Sequence, residues 1–83
     1  MKGYEFVGFM LPSYINGKSI VLYRNKSAGT YIVTHETTGS KVLSSREVAG
    51  DLDLEELNDD VCNALKYRGE GAAYDTAVAY ING

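Results

Sequence analysis

The sequence predicts an α+β fold, in which an antiparallel β-meander of three to four strands (residues 4–45) packs against two C-terminal helices (residues 54–67 and 72–81). The first half is rich in β-branched and aromatic residues separated by polar, Gly-containing turns. In the second half, apolar residues recur at spacings of three and four, as in an amphipathic helix. The chain has 83 residues, which suits a single domain (residues 1–83) with one modest core. Because a small sheet cannot bury its faces alone, we expect the helices to cover one of them.

Four segments of the first half have strand character. They are residues 4–11, 18–24, 30–36 and, as a shorter strand, 41–44. Asn16-Gly17 is a strong signal for a two-residue hairpin, because both central positions of a type I′ turn have positive φ. Pro12 has no amide N–H to donate, so it either ends the first strand or marks an edge strand.

The start of the first helix carries several recognisable signals. Asp53 fits an N-cap, which places Glu56 at the third helical position. Leu52 and Leu57 then stand at the two positions of a hydrophobic staple. The sequence therefore predicts a helix that begins immediately after Asp53.

Both helices have an apolar stripe by which they can pack. In the first helix, the stripe comprises Leu54, Leu57, Val61, Ala64 and Leu65. In the second, it comprises Tyr74, Ala77, Val78 and Ile81. Gly69 stands where a left-handed C-cap of the first helix belongs.

Charge divides the chain into two halves. Residues 1–50 carry six Lys or Arg against three Asp or Glu, whereas residues 51–83 carry two against eight. On a helical wheel, Glu55, Glu56, Asp59 and Asp60 fall opposite the apolar stripe of the first helix. Like charges four residues apart destabilise a helix by roughly 0.2–0.5 kcal/mol per pair. Charged faces usually only contact water; the functional alternative is an acidic face that binds a basic partner.

The leading hypothesis is a small non-enzymatic binding or regulatory protein. Its acidic helix face would dock on the basic surface of a protein partner; by analogy, virus-encoded inhibitors that compete with nucleic acid belong to this class. A small chain without an intramolecular disulfide also gains stability from association, so a homo-oligomer is a further possibility. No apolar run approaches the roughly 18 residues of a membrane span, and the cytoplasm is the default location.

The alternative hypothesis is a nucleic-acid-binding domain that uses the sheet. Tyr23, Arg24, Lys26 and Tyr31 lie in or beside the second and third predicted strands. Aromatic rings on a sheet can stack on bases, while neighbouring cations follow the phosphate backbone. The competing interpretation is that the tyrosines form the edges of the core with their hydroxyls in water.

No catalytic, cofactor or metal site is predicted. Asp51, Asp53 and Glu55 alternate like the start of a calcium loop, but Glu56 stands where that loop requires glycine and Cys62 where it has glutamate.

Histidine and cysteine each occur once in the chain. His35 lies on a strand face with Tyr31 and Val33, where a packing or surface role is expected. Cys62 is expected to be a half-buried structural thiol at the flank of the helical stripe. A Cys62–His35 nucleophile pair requires the fold to bring them together, and nothing in their spacing indicates that it does.

Overall fold

Four strands are followed by two helices in the computed structural model, which describes residues 3–15, 17–39 and 41–83 and only the backbone of residues 12–15. The elements are β1 (Glu5–Ile15), β2 (Lys18–Asn25), β3 (Thr30–Thr37), β4 (Val42–Val48), α1 (Asp51–Arg68) and α2 (Glu70–Asn82). The predicted α+β arrangement of a meander followed by two helices is confirmed.

The strands form one sheet in the order β1-β2-β3-β4, and each neighbouring pair is antiparallel. Ile15 pairs with Lys18, so a tight hairpin joins β1 to β2. Gly17 has φ +67°, as a type I′ turn requires. Asn16, the other residue of the predicted turn, lies outside the described residues.

Two strands are longer than predicted. β1 continues through Pro12 to Ile15, with a register shift against β2 between Leu11 and Ile15. Proline is tolerated in edge strands and at bulges, and β1 is an edge strand. β4 extends to Val48 instead of ending at Ser44. The charged residues Arg46 and Glu47 are not typical of a strand, so the sequence did not predict this extension. In the structure, the buried side chain of Val48 packs in the core.

Both helices lie on one face of the sheet. α2 packs against β2, β3 and β4, and α1 packs chiefly against α2. Strand residues such as Ile20, Val33 and Val48 join helix residues in a single core. Three buried alanines contribute to it from the helices: Ala64 of α1 and Ala73 and Ala77 of α2. Such small side chains allow two helix backbones to approach closely.

The predicted N-terminus of the first helix was wrong. α1 begins at Asp51, and its N-cap is Gly50, in an extended conformation and with no side-chain cap. Asp53 instead lies in the first turn with Asp51, where both carboxylates interact favourably with the positive end of the helix dipole. Leu52 is 80% exposed, so it forms no hydrophobic staple.

The apolar stripe of α1 is narrower than predicted. Leu57, Val61 and Ala64 are buried, but Leu65 is 41% exposed. Cys62 is exposed, so the expectation of a half-buried thiol was wrong. Both differences have the same cause: α1 rests mainly on one neighbour, α2, and a single helix–helix contact covers a narrower strip than a sheet would.

Gly69 is the whole connection between the helices. It is the C-cap of α1, as predicted, and at the same time the N-cap of α2. Its φ of +94° and ψ of −179° lie outside the left-handed helical region that was expected and in a region that only glycine adopts readily. α2 therefore starts at Glu70, two residues before the predicted boundary.

Candidate functional site

The four predicted partner-binding residues, Glu55, Glu56, Asp59 and Asp60, are all exposed on α1. Within the described ranges, the one ion pair joins Lys26 Nζ to Glu5 Oε2 at 2.7 Å, far along the chain from this helix. We refer to these four residues as the acidic face. Their carboxylates are not neutralised by the cations of the sheet in the described part of the chain.

One edge of the acidic face lines a cavity of about 280 Å³ between α1, β4 and α2. Its lining comprises Arg46, Asp53, Glu56, Leu57, Asp60 and Tyr80. Arg46 forms no ion pair with these carboxylates in the described part of the chain. It donates a 2.7 Å hydrogen bond to the Tyr80 carbonyl, and its guanidinium lies 4.5 Å from the Tyr80 ring centroid. Three carboxylates therefore border a cavity that also contains one cation, Arg46, whose recorded contacts are with Tyr80.

The four residues of the nucleic-acid hypothesis are not brought onto one surface. Tyr23 pairs with Ile32, so its side chain and that of Tyr31 lie on opposite faces of the sheet. Tyr31 packs against the core and is the cross-strand neighbour of Arg24, which is exposed. Lys26 is already paired with Glu5.

His35 contacts the second helix. It is buried, its Nε2 is hydrogen-bonded to the Tyr74 hydroxyl, and the two rings meet edge to face with centroids 5.3 Å apart. Burial, and to a lesser extent the charge of Lys18, lowers the pKa of His35 below 6.5. Burial, followed by the charge of Asp75, raises the pKa of Tyr74 above 10. Of the two roles expected for His35, packing or surface, the structure shows packing, whereas Cys62 is exposed on α1.

A site that the sequence did not predict lies on the face of the sheet without helices. Glu36 is only 4% exposed there, and its Oε2 accepts hydrogen bonds from the Tyr23 hydroxyl at 2.7 Å and the Thr34 hydroxyl at 2.5 Å. Burial, together with the hydrogen bond and the charge of Glu36, raises the pKa of Tyr23 to about 12. Tyr23 therefore remains a neutral donor to Glu36 at every physiological pH.

This carboxyl group lines a cleft of about 300 Å³. The cleft, which we call the aromatic cleft, is lined by Phe6, Phe9, Ser19, Val21, Tyr23, Glu36, Thr37 and Thr38. The Phe6 ring meets those of Phe9 and Tyr23 edge to face, with centroids 5.4 Å and 6.1 Å apart. Both phenylalanines are more than half exposed, so the carboxyl group is bordered by rings with free faces.

A sequence signal for the aromatic cleft exists, but it depends on the register of the strands. Glu36 is the one charged position among the β-branched and aromatic residues of the third strand, and it shares a face with Thr34. Its partner Tyr23 is thirteen positions earlier in the chain. Only the observed pairing of Tyr23 with Ile32 and of Ser19 with Glu36 puts these side chains on one face.

The described part of the chain contains no group of three or more His, Cys, Asp or Glu placed to hold a metal ion. Nor does either of its helices have the length and apolarity that a membrane span requires. No protein-family model, curated protein or solved structure matched this chain.

Proposed function

We propose that this chain is a non-enzymatic binding protein, and that the acidic face of α1 docks on a basic surface of a protein partner. The observation that supports the proposal is the set of four exposed carboxylates that, within the described residues, have no cationic partner. A surface of this charge suits a partner that otherwise contacts phosphate groups, such as a nucleic-acid-binding protein, and inhibition by competition is the corresponding mode of action.

The energetics of α1 agree with this proposal. Glu55 with Asp59, and Glu56 with Asp60, are like-charge pairs that each destabilise the helix by roughly 0.2–0.5 kcal/mol. The helix contains only two basic residues, Lys66 and Arg68, and both lie in its last turn. Packing on α2 holds the opposite side of α1, so the acidic face is presented outward on a fixed scaffold.

Charge reversal of the acidic face tests the proposal. Glu55→Lys/Asp59→Lys should keep the fold, because both side chains are exposed. The matched control is Glu70→Lys/Asp75→Lys, which makes the same change in net charge at exposed positions of α2. Each protein would be immobilised and exposed to native lysate, and the captured proteins would be quantified by mass spectrometry.

We expect a set of basic proteins that the wild type and the control capture and that the acidic-face variant loses by at least tenfold. Their capture should weaken as salt is raised from about 0.05 to 0.5 M, since exposed charges are screened over a few ångströms at high salt. Thermal unfolding followed by circular dichroism would verify that all three proteins are folded. The same captured set for all three would refute the proposal.

A further inference from the structure

Glu36 is a buried carboxyl group with no cation beside it in the described part of the chain. It is 4% exposed, and the two groups that hydrogen-bond to it, the hydroxyls of Tyr23 and Thr34, are neutral. Buried carboxylates in proteins are usually paired with a cation, because removing the charge from water is otherwise unfavourable. Within the described residues, the recorded ion pair lies elsewhere, between Lys26 and Glu5.

The second oxygen of Glu36 has room for a partner. Both hydrogen bonds end on Oε2, and no described residue donates to Oε1. The carboxyl group lines the aromatic cleft, and so does Ser19, its cross-strand partner, whose side chain lies on the same face of the sheet. An occupant that donates several hydrogen bonds can therefore find the Glu36 carboxylate and the Ser19 hydroxyl oxygen in one place.

The walls of the cleft add a preference for an organic cation. Phe6 and Phe9 are 53% and 61% exposed, an unusual position for phenylalanine, and Tyr23 completes a wall of three rings. Aromatic faces attract cations through their quadrupole and bury alkyl groups through the hydrophobic effect. A hydrated metal ion uses neither property, whereas an alkylammonium ion uses both.

From these observations we propose that the aromatic cleft binds a small-molecule primary alkylammonium ion, with the ammonium group on Glu36 and the alkyl chain against Phe6 and Phe9. A primary ammonium group has N–H donors for the Glu36 carboxylate and the Ser19 hydroxyl oxygen, whereas a quaternary ammonium group has none. The volume of about 300 Å³ lies at the lower end for ligand pockets and suits a small amine. This site is on the opposite side of the sheet from α1 and is independent of the acidic face.

Titration with n-butylammonium, followed by ¹H–¹⁵N NMR, tests the proposal. We expect saturable shifts confined to the amides of the cleft, with Ser19, Glu36 and Thr37 among the most affected. 1-Butanol has nearly the same shape without the charge and should bind at least tenfold more weakly. No saturable shift with up to about 50 mM butylammonium, or equal binding of butanol, would overturn the proposal.

Two further probes test the assignment of the ligand. Tetramethylammonium has the charge without N–H donors, so binding as tight as that of butylammonium would overturn the choice of a primary amine. Nα-acetyl-lysine N-methylamide presents the same ammonium group on a peptide backbone. Tighter binding of this probe than of butylammonium would overturn the small-molecule assignment in favour of a lysine side chain from a partner protein.

Variants of the cleft complete the test. Glu36→Gln should weaken butylammonium binding at least tenfold, whereas Glu47→Gln, an exposed carboxyl group on the same face of the sheet, should not change it. If Glu36→Gln does not fold, Phe6→Leu/Phe9→Leu gives an independent measurement at two exposed positions. That variant should weaken binding at least threefold, and unchanged binding would refute the role of the rings.

Discussion

Replacement of Tyr23 by phenylalanine measures how strongly the Tyr23 hydroxyl stabilises the buried carboxyl group of Glu36. The change removes one oxygen atom, keeps the ring beside Phe6, and leaves Glu36 with Thr34 as its only described donor. Hydrogen bonds to charged groups contribute roughly 1.5–3 kcal/mol to stability. We therefore expect the free energy of unfolding to fall by about 2 kcal/mol at neutral pH.

Urea unfolding followed by far-UV circular dichroism measures this loss. For a domain of this size, a loss of about 2 kcal/mol corresponds to a fall in Tm of roughly 8–16 °C. Tyr67→Phe is the matched control, because Tyr67 is 74% exposed and its hydroxyl should contribute less than about 0.5 kcal/mol. A loss for Tyr23→Phe as small as that of the control would show that Glu36 does not depend on this donor, and the reasoning would fail.

The same variant has a signature at alkaline pH. The pKa of Tyr23 is raised from 10 to about 12 in the folded protein, so the unfolded chain releases this proton first as pH rises. The stability associated with the neutral phenol is therefore fully present below pH 10 and is lost between pH 10 and 12. Tyr23 and Tyr74 both titrate above pH 10 in the folded protein, so absorbance at the tyrosinate band should show one fewer late-titrating phenol in Tyr23→Phe than in the wild type. Identical titration curves would contradict the assignment.

Two other predictions concern single residues. Gly69→Ala should lower the free energy of unfolding by roughly 1–3 kcal/mol, because φ +94° with ψ −179° is strained for any residue with a Cβ. The control is Gly71→Ala in the first turn of α2, which should raise the free energy of unfolding by about 0.5–1 kcal/mol, since a Cβ there meets open space. Equal effects of the two substitutions in urea unfolding would contradict the argument. His35 should titrate below 6.5 by NMR, and because the unfolded chain then binds the proton first, the free energy of unfolding should fall as pH drops through 6.5. His35→Gln should reduce that slope between about pH 5.5 and 7.5, and an unchanged slope would count against it.

The features that were predictable from the sequence depend on local signals. The Gly17 turn and the apolar spacing of α1 follow from neighbouring residues, and both are present in the structure. The errors arise where tertiary contacts decide. Leu52 was predicted to form a hydrophobic staple with Leu57, but its side chain is 80% exposed. Leu65 is 41% exposed, because it lies outside the surface of α1 that packs on α2.

Of the two candidate sites, one was predictable from the sequence and the other was not. The acidic face belongs to one helix, so a helical wheel was enough to predict it. The aromatic cleft joins side chains of β1, β2 and β3 whose relation is set by strand register, and a shift of one residue would move Glu36 to the opposite face. The Gly17 hairpin sets the start of the β1–β2 pairing, but no local pattern gives the register shifts of β1 or the register of β2 against β3, and the cleft was therefore not predictable.

The separation of the two sites makes the two proposals independently testable. The acidic face is on α1, which lies on one side of the sheet, and the aromatic cleft is on the other side, so they share no side chain. Substitutions at distant sites without common partners act additively. Glu55→Lys/Asp59→Lys should therefore leave butylammonium binding unchanged, and Glu36→Gln should leave the captured proteins unchanged. If either variant abolished both activities, loss of the fold would explain the result better than loss of a site.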